Sequence, residues 1–474
     1  MLHIHNSLGR RKEEFRPRTP GQVGLYVCGI TVYDHCHIGH ARAMIVYDVL
    51  YRHLLASGLD VTYVRNITDV DDKIIERARA AGEAPEDLAE RFIASMREDA
   101  AALGALAPTH EPQAVGHIDG VIVMIERLIE SGHAYAVEGG DVLYAVRSFP
   151  DYGKLSGRRP DELRAGARVA ADERKRDPLD FALWKRAKPG EPSWPSPWGE
   201  GRPGWHIECS AMSTALLGEE FDIHGGGLDL EFPHHENEIA QSEAASGKGF
   251  ARYWMHNGLV RMSGEKMSKS LGNFLTIREA LAEWRGEELR YFIIASHYRS
   301  PLECDGEGLG AARRALRGLY TALRDRPVDE SVALEESYTE RFIAAMDDDL
   351  NTPEAVAVLH ELAGALNREG EHGARAATLA ATLRTLGGRL GLLQEEPEAM
   401  LQGRVGDGAA ALASSGSVAG EPALTRERIE ALIEERAAAR EAKDFARGDA
   451  IRERLAEAGV VLEDSGGRTT WRRD

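Results

Sequence analysis

Two extended apolar segments with a helical segment between them mark the amino-terminal part of the chain. Residues 24–29 (GLYVCG) form an apolar run that predicts a buried strand. Apolar side chains then recur at close to helical spacing, at Met44, Tyr47, Leu50 and Leu54, so a helix is expected to begin near residues 37–40. The β-branched run at residues 61–68 predicts a second strand. This order predicts a βαβ unit in a parallel sheet, with its ligand at the carboxyl ends of the strands.

The rest of the pattern divides the chain into six segments. We predict two halves of a Rossmann-like parallel-sheet domain at 1–106 and 204–306, a connective insertion at 107–203, an α-helical bundle at 307–394, a linker at 395–422 and a small domain at 423–474. In the last segment, Thr425 is typical of a helix N-cap and Gly459 of a helix end. A short strand at 460–462 and a polar tail are expected to follow.

Composition narrows the class of protein. The chain has 474 residues, too many for a single core, and its 43% hydrophobic and 28% charged content is typical of a globular protein. We expect a cytoplasmic protein with no membrane partner, because the sequence has neither a secretory signal nor an apolar stretch long enough to span a bilayer. The net charge of -19 disfavours a broad basic RNA-binding surface but leaves room for a local basic track.

Two short motifs together predict one ATP site built from two halves. His37, Gly39 and His40 lie at the predicted helix start, where backbone N–H groups and the helix dipole can bind phosphate. Lys266 and Lys269 lie in a Ser/Gly/Lys-rich segment that suits a mobile loop bringing two ammonium groups to a triphosphate. Alone, each motif also fits solvated surface residues. The two motifs in this order make the ATP site the stronger interpretation.

A candidate metal set is distributed over three segments. Cys28 lies at the end of the first predicted strand, and Cys209 lies far along the chain. His234 and Glu238 are i and i+4 on a helix expected to start after Pro233, so they share one face. Two thiolates, an imidazole and a carboxylate are a plausible zinc set.

The spacing leaves other metal sets open. The four cysteines are too few for a disulfide framework, but no CxxC pair announces a zinc site, and a buried cysteine is often only a small apolar residue. His235 or His224 can replace His234, and Cys36 is a competing thiol.

Several motifs resemble the cysteinyl-tRNA synthetase family of class I aminoacyl-tRNA synthetases. They are residues 28–34 (CGITVYD), 66–73 (NITDVDDK), 204–210 (GWHIECS), 232–238 (FPHHENE) and 267–273 (MSKSLGN). The resemblance extends through the C-terminal helices and covers nearly the whole chain. His35 departs from the family pattern, in which an apolar residue is more usual.

The resemblance implies a role for each group of residues. It implies zinc ligands at Cys28, Cys209, His234 and Glu238, and a cysteine pocket lined by Thr31, Thr68, Trp205 and His224. It implies catalytic roles for His37, His40, Lys266 and Lys269, and ATP contacts at Gly39, Gly227, Asp229 and Lys269. Zinc that accepts the substrate thiolate would separate cysteine from serine better than an apolar pocket, and editing would then be unnecessary.

The last helices carry a candidate RNA-reading surface. Phe445 lies among arginines, where an aromatic ring can stack an unpaired base and arginines can hold phosphates. The alternative is an ordinary charged helical hairpin with Phe445 in its core, because acidic residues nearly balance the basic ones. The family resemblance places anticodon recognition here, although Trp is frequent at the position of Phe445. The candidate contacts are Arg440, Phe445, Asp449 and Arg452.

These patterns predict an α/β catalytic domain with an insertion, a helical bundle and an anticodon-binding domain. The expected activity is that of a cysteine–tRNA ligase that uses Mg-ATP, one Zn²⁺ per chain, L-cysteine and tRNA-Cys, and we expect a monomer. One alternative is a cysteine ligase that acts on an amino sugar in mycothiol synthesis, although such enzymes lack the C-terminal helices. Another is a non-catalytic synthetase-like RNA-binding protein, although His40, Lys266 and Lys269 are all present.

Overall fold

The computed structural model describes the chain except for residues 163–173, 263–264, 267–273, 327, 330, 370–372, 404–423, 466–467 and 474, and the side chains of residues 265, 266, 465 and 468. The chain forms two compact units. The first unit comprises Met1–Ala280, Phe292–Gly306 and Glu340–Val356, and the second comprises Leu281–Tyr291, Glu307–Thr339 and Ala357–Asp474. No described helix is long and apolar enough to cross a membrane.

A βαβ unit begins the first compact unit. The elements up to residue 102 are β1 (His3–Asn6), β2 (Arg11–Glu14), β3 (Gln22–Thr31), α1 (Ile38–Ala56), β4 (Asp60–Thr68), α2 (Asp72–Ala81) and α3 (Pro85–Ala102). β3 and β4 pair in parallel, with Thr31 opposite Thr68. The apolar positions predicted for α1 are all buried. The predicted βαβ unit is therefore confirmed.

The region predicted as an insertion contains an antiparallel sheet. Its described elements are α4 (Ile118–Glu130), β5 (Ala134–Ala136), β6 (Val142–Tyr144), β7 (Phe181–Arg186) and β8 (Gly201–Pro203). The strands pair in the order β5-β6-β7-β8. Val121, Ile125 and Leu128 recur at helical spacing on α4 and share a buried core with Trp184 of β7.

The next segment returns to the parallel sheet. It contains α5 (Trp205–Leu217), β9 (Phe221–Gly227), α6 (Glu236–Ser246), β10 (Ala251–Asn257), β11 (Val260–Met262), β12 (Glu265–Lys266) and, further on, β13 (Leu302–Glu303). The strand order is β10-β9-β3-β4, with every pair parallel. An irregular turn, Glu231–His235, leads into α6, so this helix starts later than its predicted position after Pro233.

The region expected to be a helical bundle is helical. From residue 277 onward the helices are α7 (Ile277–Glu283), α8 (Gly286–Ile294), α9 (Gly306–Leu323), α10 (Glu336–Asp347), α11 (Thr352–Arg368), α12 (Ala374–Arg389) and α13 (Pro397–Gln402). Of these, α7 and α8 precede the predicted bundle, and α13 lies within the predicted linker. The predicted linker at 395–422 lies mostly outside the described residues. The six segment boundaries remain predictions.

The C-terminal segment contains two helices and a β-hairpin. They are α14 (Arg426–Glu441), α15 (Phe445–Glu457), β14 (Val460–Ser465) and β15 (Arg468–Arg473). Thr425 caps α14 as predicted, and Gly459 has the positive φ of +71° expected after a helix. The expectation of a polar tail is wrong. β15 pairs with β14 because Trp471, only 4% exposed, packs into the helices' apolar core.

Candidate active site

The carboxyl ends of the parallel strands carry residues predicted to contact cysteine and residues predicted to contact ATP. Thr31 and Thr68 end β3 and β4 and are direct neighbours in register. Gly227 ends β9, and Asp229 lies in the short turn Leu228–Leu230 that follows. A Cβ on Gly227 would lie 2.6 Å from Asp229 Oδ1, so glycine leaves room for this carboxylate. These residues thus lie at the sheet edge where ligands bind in this type of fold.

The predicted metal ligands meet in a buried cluster. One ligand atom from each of Cys28, Cys209, His234 and Glu238 lies within 4.8 Å of all the others. The Cys28 thiol donates to Cys209 Sγ at 3.9 Å and to Glu238 Oε1 at 3.4 Å. His234 Nε2 is 3.1 Å from Glu238 Oε1. The sequence prediction that these four side chains come together is confirmed.

Each ligand is placed by a different local feature. Cys28 lies at an irregularity in the β3–β4 pairing, where Gly29 lets the strands approach closely. A Cβ on Gly29 would lie only 1.7 Å from the backbone oxygen of Asn66, so any residue other than glycine would clash here. Cys209 lies on α5, and His234 and Glu238 lie in the turn before α6 and on α6 itself. The site is therefore assembled from a strand, two helices and the turn that precedes the second of these helices.

A second donor set overlaps the first. Cys28, His224, His235 and Glu238 also bring their ligand atoms within 4.8 Å of one another. His224 Nε2 is 2.9 Å from Glu238 Oε2. His224 and His235, the predicted substitutes for His234, thus lie close to Cys28 and Glu238, but in a set that lacks Cys209. The role of His224 in a cysteine pocket remains a prediction. Among the described residues, Cys36 belongs to neither set.

The charges in the cluster suit a divalent cation. A hydrogen bond from the Cys28 thiol lowers the pKa of Cys209 to about 6, against the opposing effect of burial. Burial raises the pKa of Cys28 well above its ordinary value. Burial disfavours the charged imidazole of His234, but Glu238 and Cys209 raise its pKa to about 10. The raised pKa of His234 shows that the Cys209 thiolate and the Glu238 carboxylate favour a positive charge at this buried point. The donor set therefore fits Zn²⁺, which would take the place of the imidazole proton.

Aromatic rings surround the cluster. Trp205 is 38% exposed and stacks on His234, with ring centroids 4.4 Å apart. His206 Nδ1 lies 2.8 Å from His234 Nδ1. His206 lies within the GWHIECS motif but was not among the predicted site residues. Its contact helps to orient the His234 ring.

A further chain of hydrogen bonds was not predicted. His235 Nδ1 is 2.8 Å from His256 Nε2, and His256 Nδ1 is 2.7 Å from Ser7 Oγ. His256 lies on β10 and Ser7 near the amino terminus. No spacing in the sequence indicates this connection, because it depends on tertiary contacts.

The first ATP motif caps α1. His37 is the N-cap residue, and its backbone N–H donates to His40 Nδ1 at 3.2 Å. The two imidazole rings stack with centroids 3.7 Å apart. Gly39 lies in the first turn of the helix. The helix start predicted here is confirmed, while the contacts of these residues with ATP remain a prediction.

The chain that flanks the second ATP motif meets the first motif. Ile38 N donates to Leu275 O at 3.0 Å, and Ile277 N donates to Cys36 O at 2.8 Å. Lys266 ends β12, but its side chain is not described, and Lys269 lies outside the described residues. The two motifs are thus connected through backbone hydrogen bonds just beyond residue 273.

Comparisons with known proteins cover the whole chain. Residues 14–314 match the tRNA synthetases class I (C) catalytic domain, 341–394 the DALR domain, and 422–472 the cysteinyl-tRNA ligase anticodon binding domain. The cysteine–tRNA ligases of Thioalkalivibrio sulfidiphilus and Alkalilimnicola ehrlichii are 61% and 59% identical to this chain, each over 100% of both sequences. The chain belongs to the cysteine–tRNA ligase family. The resemblance seen in the sequence is therefore confirmed.

Solved structures of other aminoacyl-tRNA synthetases share the fold of this cysteine–tRNA ligase family member. A Mycobacterium tuberculosis methionyl-tRNA synthetase in complex with methionyl-adenylate has a TM-score of 0.56 at 16% identity, over 85% of this chain and 98% of that one. The LeuRS of Agrobacterium radiobacter, in a ternary complex with tRNA, has a TM-score of 0.57 at 12% identity, over 97% and 91%. The class I synthetase fold is confirmed.

In this family member, three predicted anticodon contacts share one helix face. Phe445, Asp449 and Arg452 lie at i, i+4 and i+7 on α15, and all three are exposed. Phe445 is 62% exposed, so the alternative of a core phenylalanine is wrong. Arg440 is exposed near the end of α14, and its guanidinium lies 3.4 Å from Asp464. Their contacts with RNA remain a prediction.

Proposed function

We propose that this chain activates L-cysteine with ATP and transfers it to the 3′-terminal adenosine of tRNA-Cys. The observation that carries the proposal is the buried convergence of Cys28, Cys209, His234 and Glu238, with Cys28 on strand β3 of a class I synthetase sheet. A sulfur-rich donor set is chemically matched to a substrate whose distinguishing atom is sulfur. Its relatives along the entire length are cysteine–tRNA ligases.

The metal that fits this donor set best is zinc. Thiolate and imidazole are preferred zinc ligands, and a buried carboxylate completes a tetrahedral set. Cys28, Cys209, His234 and Glu238 would hold the ion, with His206 orienting His234. When bound, zinc would supply a Lewis-acid contact that a thiolate satisfies and a serine hydroxyl does not.

Four residues around the cluster would form the cysteine pocket. Trp205 stacks on His234 and would cover the substrate side chain, while His224 borders the cluster through Glu238. Thr31 and Thr68 lie together at the strand ends and would position the amino acid backbone. Together they would hold the cysteine carboxylate toward the nucleotide.

The ATP site would use both motifs. His37, His40 and the N–H groups around Gly39 would contact phosphate oxygens at the start of α1, and Gly227 and Asp229 would hold the ribose. The cysteine carboxylate then attacks the α-phosphate in line, forming cysteinyl-adenylate and releasing pyrophosphate. Lys266, Lys269 and Mg²⁺ would neutralise the charge that develops on pyrophosphate. This step needs positioning and electrostatics but no side-chain nucleophile.

Transfer to tRNA would complete the reaction. The terminal ribose hydroxyl attacks the activated carbonyl, and AMP leaves. The exposed face of α15, with Phe445, Asp449 and Arg452, would read the anticodon, assisted by Arg440. A monomer would contain every residue used here, so we expect one chain to suffice.

The match of residues 422–472 to an anticodon-binding domain favours a tRNA acceptor over an amino sugar. It also suits an RNA-binding protein without catalysis, so activity must be measured directly. The first experiment measures metal content and cysteine-dependent ATP–pyrophosphate exchange, with cysteine or serine, on wild type and Cys209→Ser. Charging of tRNA-Cys by the wild type then identifies the acceptor.

We expect one zinc per chain, exchange with cysteine only and charging of tRNA-Cys. Cys209→Ser should lose both zinc and exchange. Exchange without metal, or equal use of serine, would contradict the zinc-based selection of cysteine. Exchange without tRNA charging would favour the amino-sugar ligase, and absence of exchange would favour the non-catalytic protein.

A further inference from the structure

A buried carboxylate lies between two of the proposed metal ligands without belonging to either donor set. Glu236 is the first residue of α6, two positions after His234 and two before Glu238, and its side chain is 0% exposed. A carboxylate in such a place is costly unless its oxygens are hydrogen-bonded. The groups that donate hydrogen bonds to this carboxylate therefore indicate its role.

Glu236 binds a short segment of the insertion, residues 152–156, which we call the latch segment. Gly153 N donates to Oε1 at 2.9 Å, and Leu155 N lies 3.4 Å from the same oxygen. Ser156 donates to Oε2 through both its N–H and its Oγ, each at 2.8 Å. Both carboxylate oxygens thus accept hydrogen bonds from the latch segment, and neither belongs to a metal donor set.

The latch segment follows α6 beyond Glu236. Tyr152 OH donates to Asn237 Oδ1, and Lys154 Nζ forms an ion pair with Glu243. Gly153 has a φ of +99°, and a Cβ there would lie 1.9 Å from Arg158 O, so the turn requires glycine. The contacts at Glu236 and Asn237 are buried, whereas the Lys154–Glu243 pair is partly exposed.

We infer that Glu236 is a positioning residue for the metal site, and that the latch segment acts through it. Its hydrogen bonds fix the first turn of α6, and that turn sets the separation of His234 and Glu238. The insertion would thereby control metal affinity although it supplies no ligand. This inference rests on the proposed metal role of His234 and Glu238.

The test is the affinity of the metal-free protein for zinc. In Glu236→Gln the side chain keeps its size, but an NH₂ group faces the N–H donors of the latch segment and one buried acceptor is lost. Competition with a chromophoric chelator should show zinc binding weakened by about 10- to 100-fold, the usual effect of losing an outer contact. When cobalt(II) is bound in place of zinc, the visible absorption bands of Glu236→Gln should shift relative to those of the wild type, because these bands report the geometry of the ligands.

Two other variants keep the test informative. Glu243→Gln makes the same chemical change on the same helix and removes a contact with the same segment, but away from the ligands, so it should bind zinc like the wild type. Ser156→Ala removes only the hydroxyl donor of Glu236 and should weaken zinc binding by a smaller factor than Glu236→Gln. Because Ser156→Ala leaves Glu236 itself in place, this variant still tests the inference if Glu236→Gln does not fold.

Steady-state kinetics provide an independent reading. Glu236→Gln and Ser156→Ala should raise the KM for cysteine and leave the KM for ATP unchanged. A wild type that binds no zinc would overturn the metal assignment and this inference together. A wild type that binds zinc tightly, with Ser156→Ala and Glu236→Gln unaltered in affinity and cobalt spectrum, would overturn the inference alone. Equal losses in Glu243→Gln and Glu236→Gln would also overturn it.

Discussion

Phe445 is the residue whose exposure has the clearest consequence. At 62% exposed on α15, its ring contributes little to the core but is available to stack a base. Because base–aromatic stacking is worth about 1–3 kcal/mol, Phe445→Ala should raise the KM for tRNA-Cys about 5- to 150-fold. Charging kinetics measure this effect, and cysteine-dependent pyrophosphate exchange should be unchanged.

Val123 provides a matched control for this residue. It is an exposed apolar side chain, at 46%, on a helix of the insertion. Val123→Ala should leave the KM for tRNA-Cys at the wild-type value, and Phe445→Trp should retain tight binding because the ring can still stack. An unchanged KM in Phe445→Ala would refute the stacking role.

At the scale of elements, one ion pair joins α14 to the C-terminal hairpin. Arg436, only 5% exposed, donates to Asp464 Oδ1 and Oδ2 at 3.0 and 2.8 Å. These bonds, with one from Thr469, hold the pKa of Asp464 well below its ordinary value of 3.8. A depressed folded-state pKa stabilises the fold above the unfolded value, and this contribution disappears as the pH falls through the folded-state pKa.

Asp464→Asn should therefore destabilise the protein near neutral pH. We expect the difference in unfolding midpoint from wild type to be constant between pH 6 and about pH 5 and to shrink as the pH falls below about 4. Urea unfolding followed by circular dichroism across this range measures it. A difference that stays the same or grows toward low pH would show that Asp464 does not act through its charge.

A second element-scale contact holds the chain that follows the lysine motif. Arg278 on α7 lies 3.1 Å from the buried Asp99 of α3, and His35, just before the histidine motif, contacts Ser95 of α3 at 2.9 Å. α3 thus contacts the flanks of both ATP motifs. Arg278→Met should lower kcat for pyrophosphate exchange by about 10-fold, because Lys266 and Lys269 would no longer be positioned correctly. The KM for cysteine should be unchanged. A raised KM for cysteine with normal kcat would contradict this role.

For the whole molecule, all four proposed ligands belong to the first compact unit. A ligand that binds only the folded state stabilises it by about 4 kcal/mol at 1,000 times its dissociation constant. Removing zinc with a chelator should therefore lower the unfolding temperature of the first unit and leave the transition of the second unit in place. Scanning calorimetry measures both, and Cys209→Ser should be insensitive to the chelator. If the chelator shifted only the unfolding transition of the second unit, the metal would be bound in that unit and not at the four proposed ligands.

The sequence by itself determined the local structure and the chemistry of the motifs. The apolar spacing of Met44 and Tyr47 predicts α1, and the i, i+4 spacing of His234 and Glu238 predicts that they meet, because both depend on contacts within a few residues. The residue types also suggested Cys28 and Cys209 as thiolate partners, and the family resemblance selected His234 as the imidazole. The spacing alone left His224 and His235 as alternatives.

Only the tertiary structure decided which distant side chains share a site. It placed Cys28 of β3 beside Cys209 of α5, brought His206 to His234, and turned Glu236 toward the insertion. It also made a strand of residues 468–473, because burial of Trp471 outweighs their polar composition. Local spacing constrains neighbours along the chain, whereas contacts between residues far apart in sequence depend on how the sheet and helices pack.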